Sequence, residues 1–239
     1  MNLSSSTVPA SLSLAMRDGS RAEHDAAEQS PFISELLAGR VNTDGYVDYL
    51  MRLQMIYTAI EDAVRAPPPP PPPAAPQPPP PPPPPAPPPP PQDPLVAAVY
   101  DPALERHRAL AADLEHWAPG TRRQVNSAAA QAYQDRIARA DWTGALVAHH
   151  YVRYLGDLSG GQAIGRMLDR AFGLGGAGLS FYDFPMRPKP YKDAYRARLD
   201  ELGLSSRENV RIVDEVKIAF GLNQAVFDEL SDNLTAYRR

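Results

Sequence analysis

From residue 67 to residue 91 the chain is almost pure proline, with 21 prolines, three alanines and Gln77. Proline carries no backbone N–H and fixes φ near −65°, so no helix interior or central strand can run through this tract. Such a run favours an extended, solvated polyproline helix that needs no core. Any packed body must come from the flanks, whose ordinary mix of residues is long enough to enclose a sizeable core. The tract has two readings. It is an inert low-complexity expansion of a surface connection, or it docks a partner with an aromatic groove for proline-rich chains.

Both flanks carry a helical period. Tyr46, Leu50, Leu53, Tyr57, Ile60 and Val64 recur at spacings of three and four, which places them on one helix face, with Thr43 or Asp44 as the N-cap. Asp93-Pro94 and Asp101-Pro102 read as caps followed by proline in a first turn. Further helices are expected at Leu110–Trp117, Ala128–Arg139, Thr143 to about Phe172, and Tyr191–Leu202. A capping box at Ser205 and Glu208 opens a long last helix, with Val210, Val213, Val216, Phe220, Asn223, Phe227, Leu230 and Leu234 on one stripe. FYDF at 181–184 is too short and too closely flanked by proline to be a strand. The expectation is an all-α, single-domain bundle of seven or eight helices. It comprises a tail at 1–10, a helical domain at 11–234 interrupted by 67–91, and a tail at 235–239.

Composition removes several chemistries. Without cysteine there are no disulfides, iron–sulfur clusters, thiolate ligands or cysteine nucleophiles. No apolar run reaches the length of a membrane span. The start, MNLSSSTVPASLSLAM, has neither the basic nor the apolar region of a signal peptide. A formal charge of −4 gives no electrostatic footprint for nucleic acid. The expected location is cytoplasmic.

Two local patterns carry chemistry. YVRYLGDLSGGQ, residues 151–162, puts Gly156, Gly160 and Gly161 inside a strong helical pattern, where each costs roughly 1 kcal/mol relative to alanine. The segment is either a helix break or crossing, or a helix whose backbone must approach a flat ligand, with Asp157 among the glycines. In RAEHDAAE, His24 and Glu28 are four apart and share a helix face. Such a carboxylate can hold the second nitrogen of a metal-bound imidazole. His149 and His150 are competing ligand candidates, whereas His107 and His116 lie in a charged, surface-like helix.

Together these residues resemble the haem oxygenase family, of bacterial, biliverdin-producing type. YVRYLGDLSGGQ is similar to that family's distal-helix motif, and SRAEHDAAEQSPF to its proximal-histidine helix. FYDFP, YKDAYRARLDEL and FGLNQAVFDEL are similar to its later segments, in order. The proline tract departs from the pattern, lengthening a connection that is normally short. The resemblance implies haem b sandwiched between a proximal and a kinked distal helix. It implies His24 as axial iron ligand with Glu28 behind it, and Gly156, Gly160 and Gly161 over the haem face. Asp157 would anchor ordered water, with Arg153 beside it. Arg17, Tyr151, Lys192 and Arg196 would face the propionates, and Tyr57, Phe220, Asn223 and Phe227 would complete the pocket. The implied reaction opens the ring with O2 and electrons, releasing biliverdin, CO and ferrous iron. A separate ferredoxin or flavin-type reductase would supply the electrons, since the chain has no flavin or nicotinamide fingerprint. The alternative is a haem carrier or sensor on the same fold.

Overall fold

The computed structural model describes residues 11–65, 93–120 and 124–239. The tail at 1–10 and the proline tract at 67–91 lie outside the described residues. Regular structure among the described residues is helical, apart from an isolated bridge between Val41 and Arg238. Three short helices come first: α1 (Leu12–Gly19), α2 (Arg21–Glu28) and α3 (Pro31–Leu37). The long α4 (Thr43–Arg65) follows, and α5 (Pro94–Val99) resumes after the tract. A 3-10 turn (Pro102–Leu104) leads into α6 (His107–Trp117), then α7 (Ala128–Ala138). The helix α8 (Thr143–Gly156) continues through a π-turn (Asp157–Gly161) into α9 (Gln162–Phe172). A second 3-10 turn (Ser180–Tyr182) precedes α10 (Pro188–Asp200), α11 (Ser206–Ser231) and α12 (Leu234–Tyr237).

The punctuation seen in the sequence acts as expected at most of these ends. Asp93 accepts from the Leu95 N–H, Asp101 accepts from the Ala103 N–H, and Ser205 and Glu208 close a reciprocal capping box. The start of α4 differs by one residue, because Asn42 Oδ1 accepts from the Gly45 N–H at 2.9 Å. Gly173 stops α9 in the left-handed region at φ +67°, where a side chain would be strained.

All six residues of the α4 stripe are buried. They centre one apolar cluster, which α6, α7, α9 and the end of α11 complete. A second cluster joins α1, α8, α10 and α11. The α11 stripe needs two corrections. Val210 is 61% exposed, since at about 100° per residue it points well away from Val216, Asn223 and Leu230. Leu234 belongs to α12 and not to α11. Ile212 and Ala219 supply the buried side instead. The segment 235–239, read as a tail, is bound to the body. The Tyr237 hydroxyl donates to Asp48, and the Arg239 N–H donates to the Arg40 carbonyl at 2.9 Å.

Three histidines are structural in these surroundings. His149 is fully buried between the Tyr133 hydroxyl and Glu215, each at 3.1 Å. Burial would raise the Glu215 pKa, but hydrogen bonds from His149 and Arg136 hold it down to about 2. His150 bonds the Tyr195 hydroxyl at 2.9 Å, and burial pushes its pKa down to about 3. His107, expected on the surface, is half-buried with Nδ1 against Glu61, a carboxylate that also accepts from the Tyr154 hydroxyl at 3.0 Å. His116 is exposed as expected.

Candidate active site

The glycine segment does not break the helix. Gly156 has φ −60° and ψ −48°, and the chain runs on through a π-turn, whose wider ring accommodates one extra residue. These glycines are therefore not required for φ freedom. A Cβ on Gly156 or Gly160 would meet open space, so both leave bare backbone facing the cavity described below. A Cβ on Gly161 would sit 3.4 Å from the Asp157 Cβ, and one on Gly165 only 2.9 Å from the Tyr182 Cβ. The glycines thus serve two ends, a bare wall and close packing on Tyr182. Gln162 secures the turn by donating to the Tyr182 carbonyl at 2.9 Å and reaching the Asp157 carbonyl at 3.5 Å.

Asp157 lies at the inner side of this turn. Its Oδ2 accepts from the Tyr57 hydroxyl, and its Oδ1 stands 3.7 Å from the Arg153 guanidinium. Arg153 Nε donates to the Tyr57 oxygen at 3.2 Å, and Nη1 donates to Asn223 Oδ1 at 2.9 Å. All four side chains are buried. Burial raises the Asp157 carboxyl pKa, while the Arg153 charge and the Tyr57 hydrogen bond oppose the rise. Tyr57 is pushed far above its ordinary range, by burial first, so its hydroxyl stays a donor. The result is one polar chain from Asn223 on α11 through Arg153 and Tyr57 to Asp157.

His24 stands on the short α2. It is about half exposed, with Nε2 3.5 Å from Glu28 and Nδ1 3.5 Å from Asp25. The Phe220 ring meets it edge-on at a centroid distance of 5.7 Å. The helix α11 packs against both α2 and α8, and so sets the spacing between His24 and the glycine wall.

Between them lies a cavity of about 580 Å³. His24, Glu28, Arg17, Tyr151, Arg153, Gly156, Asp157, Gly160, Gly161, Arg196, Phe220, Asn223 and Phe227 line it, so 13 of the 15 sequence-predicted site residues share one cavity. Two stand back from it. Tyr57 acts through Asp157, and Lys192 donates to Ser159 Oγ at 2.6 Å, bracing α10 against the π-turn. Burial lowers the Lys192 pKa, and the neighbouring Arg196 charge adds to that. Sequence reasoning missed Tyr49, Ser159, Ile164 and Tyr182, which also line the cavity. Ser159 lay inside the recognised motif, and Tyr182 inside FYDFP, but neither had a chemical role that spacing could reveal.

A flat group with an iron centre and acidic edges fits these residues. The cavity offers an accessible imidazole, a wall without side chains at Gly156 and Gly160, and the Arg17 and Arg196 cations. The comparisons with known proteins agree. The family model for Heme oxygenase matches residues 10–72 and 90–229, leaving out most of the proline tract.

The chain belongs to the heme oxygenase family.

Heme oxygenase 1 of Synechocystis sp. is 32% identical over 225 residues, covering 92% of this chain and 84% of that protein. Heme oxygenase 1 of Homo sapiens is 32% identical over 238 residues, covering 96% and 75%. Among solved structures, heme oxygenase-1 from Synechocystis sp. in complex with heme superposes with a TM-score of 0.78 at 30% identity, covering 95% of each chain. Heme oxygenase from Leptospira interrogans gives 0.78 at 32% identity, covering 92% of this chain and 99% of that one.

Proposed function

We propose that this chain binds haem b in the cavity between α2 and the π-turn and degrades it oxidatively to biliverdin, CO and ferrous iron. The observation that carries this reading is one cavity holding an accessible His24 together with a bare glycine wall backed by the buried Asp157 chain. Bound haem supplies the iron that takes up O2 and the ring that is opened.

The protein's own residues do the rest. His24 ligates the iron as a neutral imidazole, and a carboxylate of the same helix, Glu28, holds its other nitrogen. Gly156, Gly160 and Gly161 let backbone approach the ring face and keep large groups out of the space above it. Asp157 holds water in that space and delivers protons from it. Tyr57 and Arg153 fix the carboxylate's orientation, and Asn223 fixes Arg153. Arg17, Tyr151 and Arg196 take the propionates, and Lys192 reaches them from Ser159. Phe220 and Phe227 cover the apolar ring edge.

Electrons come from a separate ferredoxin or flavin-type reductase. No helix among the described residues is long and apolar enough to cross a membrane. The tract at 67–91 is read first as an inert expansion of a surface connection, and second as a docking segment for a partner with a proline-binding groove. The test is an absorbance series on the haem-loaded protein, moved from anaerobic to aerobic buffer with a chemical reductant. Haem bands should give way to the biliverdin spectrum. Haem bands that persist through the series would identify a carrier or sensor instead.

A further inference from the structure

The three cations placed at the ligand's acidic edge differ in what holds them. Arg17 Nε donates to Asp18 at 2.9 Å, and Arg196 Nη1 donates to Asp193 at 3.3 Å, so each arginine already has a carboxylate. Lys192 forms no ion pair among the described residues. Its side chain is half-buried, and its ammonium donates to a neutral oxygen, Ser159 Oγ, at 2.6 Å. An ammonium drawn partly out of water without a counter-charge is costly, and an arriving carboxylate relieves that cost.

The acceptor is as informative as the donor. Ser159 belongs to the π-turn that Asp157 opens, and it lines the cavity, whereas Lys192 does not. A hydroxyl that accepts from an ammonium keeps its own proton to donate, and the ammonium keeps two of its three hydrogens. These donors stand side by side, joined by the 2.6 Å contact. We propose that Ser159 is a further ligand-binding residue of this cavity, taking one carboxylate of the ligand jointly with Lys192. The hydroxyl and the ammonium donate to the same carboxylate in charge-assisted hydrogen bonds. Arg17 and Arg196 reach the ligand from α1 and α10, whereas Ser159 ties it to the turn that carries Asp157. The held carboxylate thereby fixes the in-plane rotation of the ring against the reacting wall. A ligand without carboxylates gains nothing from Ser159. This role rests on the haem-binding reading above.

The experiment titrates the full chain with ferric haem and with its dimethyl ester, which keeps the ring and has no carboxylate. Ser159→Ala should raise the dissociation constant of haem about three- to tenfold, the usual worth of one hydrogen bond. The constant for the dimethyl ester should stay within about twofold, less than one hydrogen bond is worth. Ser159→Thr, which keeps the hydroxyl, should bind haem like the parent. With Lys192→Met in place, Ser159→Ala should cost less haem affinity than it does alone, because the two side chains hold one group. If Ser159→Ala does not fold, Ser159→Cys, with its weak S–H donor, gives the same comparison with Ser159→Thr. Haem affinity unchanged in the variants lacking the hydroxyl would overturn the role of Ser159. Equal losses for haem and its dimethyl ester would also overturn it, by showing a change of shape. A parent chain that takes up no haem would overturn both readings, and it does so before any substitution is made.

Discussion

The two sides of the cavity are built differently. On the α2 side a single imidazole stands half-exposed on an eight-residue helix, with both carboxylate contacts at 3.5 Å and one aromatic edge for support. On the π-turn side Asp157, Tyr57, Arg153 and Asn223 are buried in one connected network drawn from three long elements. Short helices with few buried contacts open locally at low cost, whereas buried networks resist rearrangement. The α2 wall should therefore yield more readily than the π-turn wall.

The largest effect should come from the side with one functional group. His24→Ala should lower biliverdin formation by roughly a hundredfold or more, since even the residues behind a metal ligand are worth ten- to a hundredfold. Added imidazole should restore part of the six-coordinate spectrum. His149 and His150 cannot substitute, being buried and bonded to Glu215 and to tyrosine hydroxyls. A histidine-ligated spectrum in this variant without imidazole would break the comparison at its base.

On the other side the loss should fall on turnover and spare binding. Asp157→Ala should slow biliverdin formation by roughly a hundredfold while haem affinity changes little, the proposed iron ligand, His24, being on α2. Peroxidase-type oxidation of an added phenol should rise when peroxide is supplied. Tyr57→Phe should do the same more weakly, since Arg153 still faces the carboxylate. A matching fall in haem affinity would show that both walls share the work of binding.

A subtler contrast lies within the glycines. Gly156→Ala adds a methyl group to open space in a helical residue, so it should stabilise the fold by about 0.5–1 kcal/mol. The same methyl enters the cavity and should weaken haem binding roughly tenfold. Gly165→Ala should act on stability in the opposite direction. Its Cβ would stand 2.9 Å from the Tyr182 Cβ, at a cost of about 1–3 kcal/mol and with little direct effect on the cavity. Melting curves of the two variants should shift in opposite senses, and the haem titration should move only for Gly156→Ala.

The legibility of the molecule followed the same division. The α4 stripe was readable because period 3.6 places Tyr46 through Val64 on one side, and all six are buried. The caps at Asp93, Asp101 and Ser205 were readable because side-chain chemistry and position coincide there. The residues lining the cavity were named because YVRYLGDLSGGQ and the His24 segment resemble a family, and periodicity alone gave only a helix with too many glycines. The sequence left a break and a continuous, bent helix both open, and the π-turn that decides between them packs on Tyr182, which follows Gly161 by 21 positions in the chain. Tyr49 was missed for a related reason. It lies beside the stripe and looks like one more apolar aromatic until the fold sets it on the cavity wall. His107 looked exposed because its partner, Glu61, is 46 residues earlier.

The smallest effect is expected from the largest sequence departure. Deleting residues 67–91 should leave haem turnover unchanged with a chemical reductant. Both anchors of the segment are tied to the body independently of it. At the end of α4, Arg65 donates to Glu105 at 2.7 Å and stands 3.3 Å from Glu61. At the start of α5, Asp93 accepts from the Leu95 N–H at 2.8 Å and from the Thr143 hydroxyl at 2.9 Å. Neither contact involves the tract. Loop-closure entropy grows only with the logarithm of length, so shortening this connection should change stability by about 1 kcal/mol or less. For a domain of this size that corresponds to roughly 2–4 °C in melting temperature. A larger drop would place the tract within the fold and end its treatment as a separate element. Unchanged stability, with slower turnover only when a protein donor supplies the electrons, would locate the donor's docking at the tract and add a third functional region to the two walls.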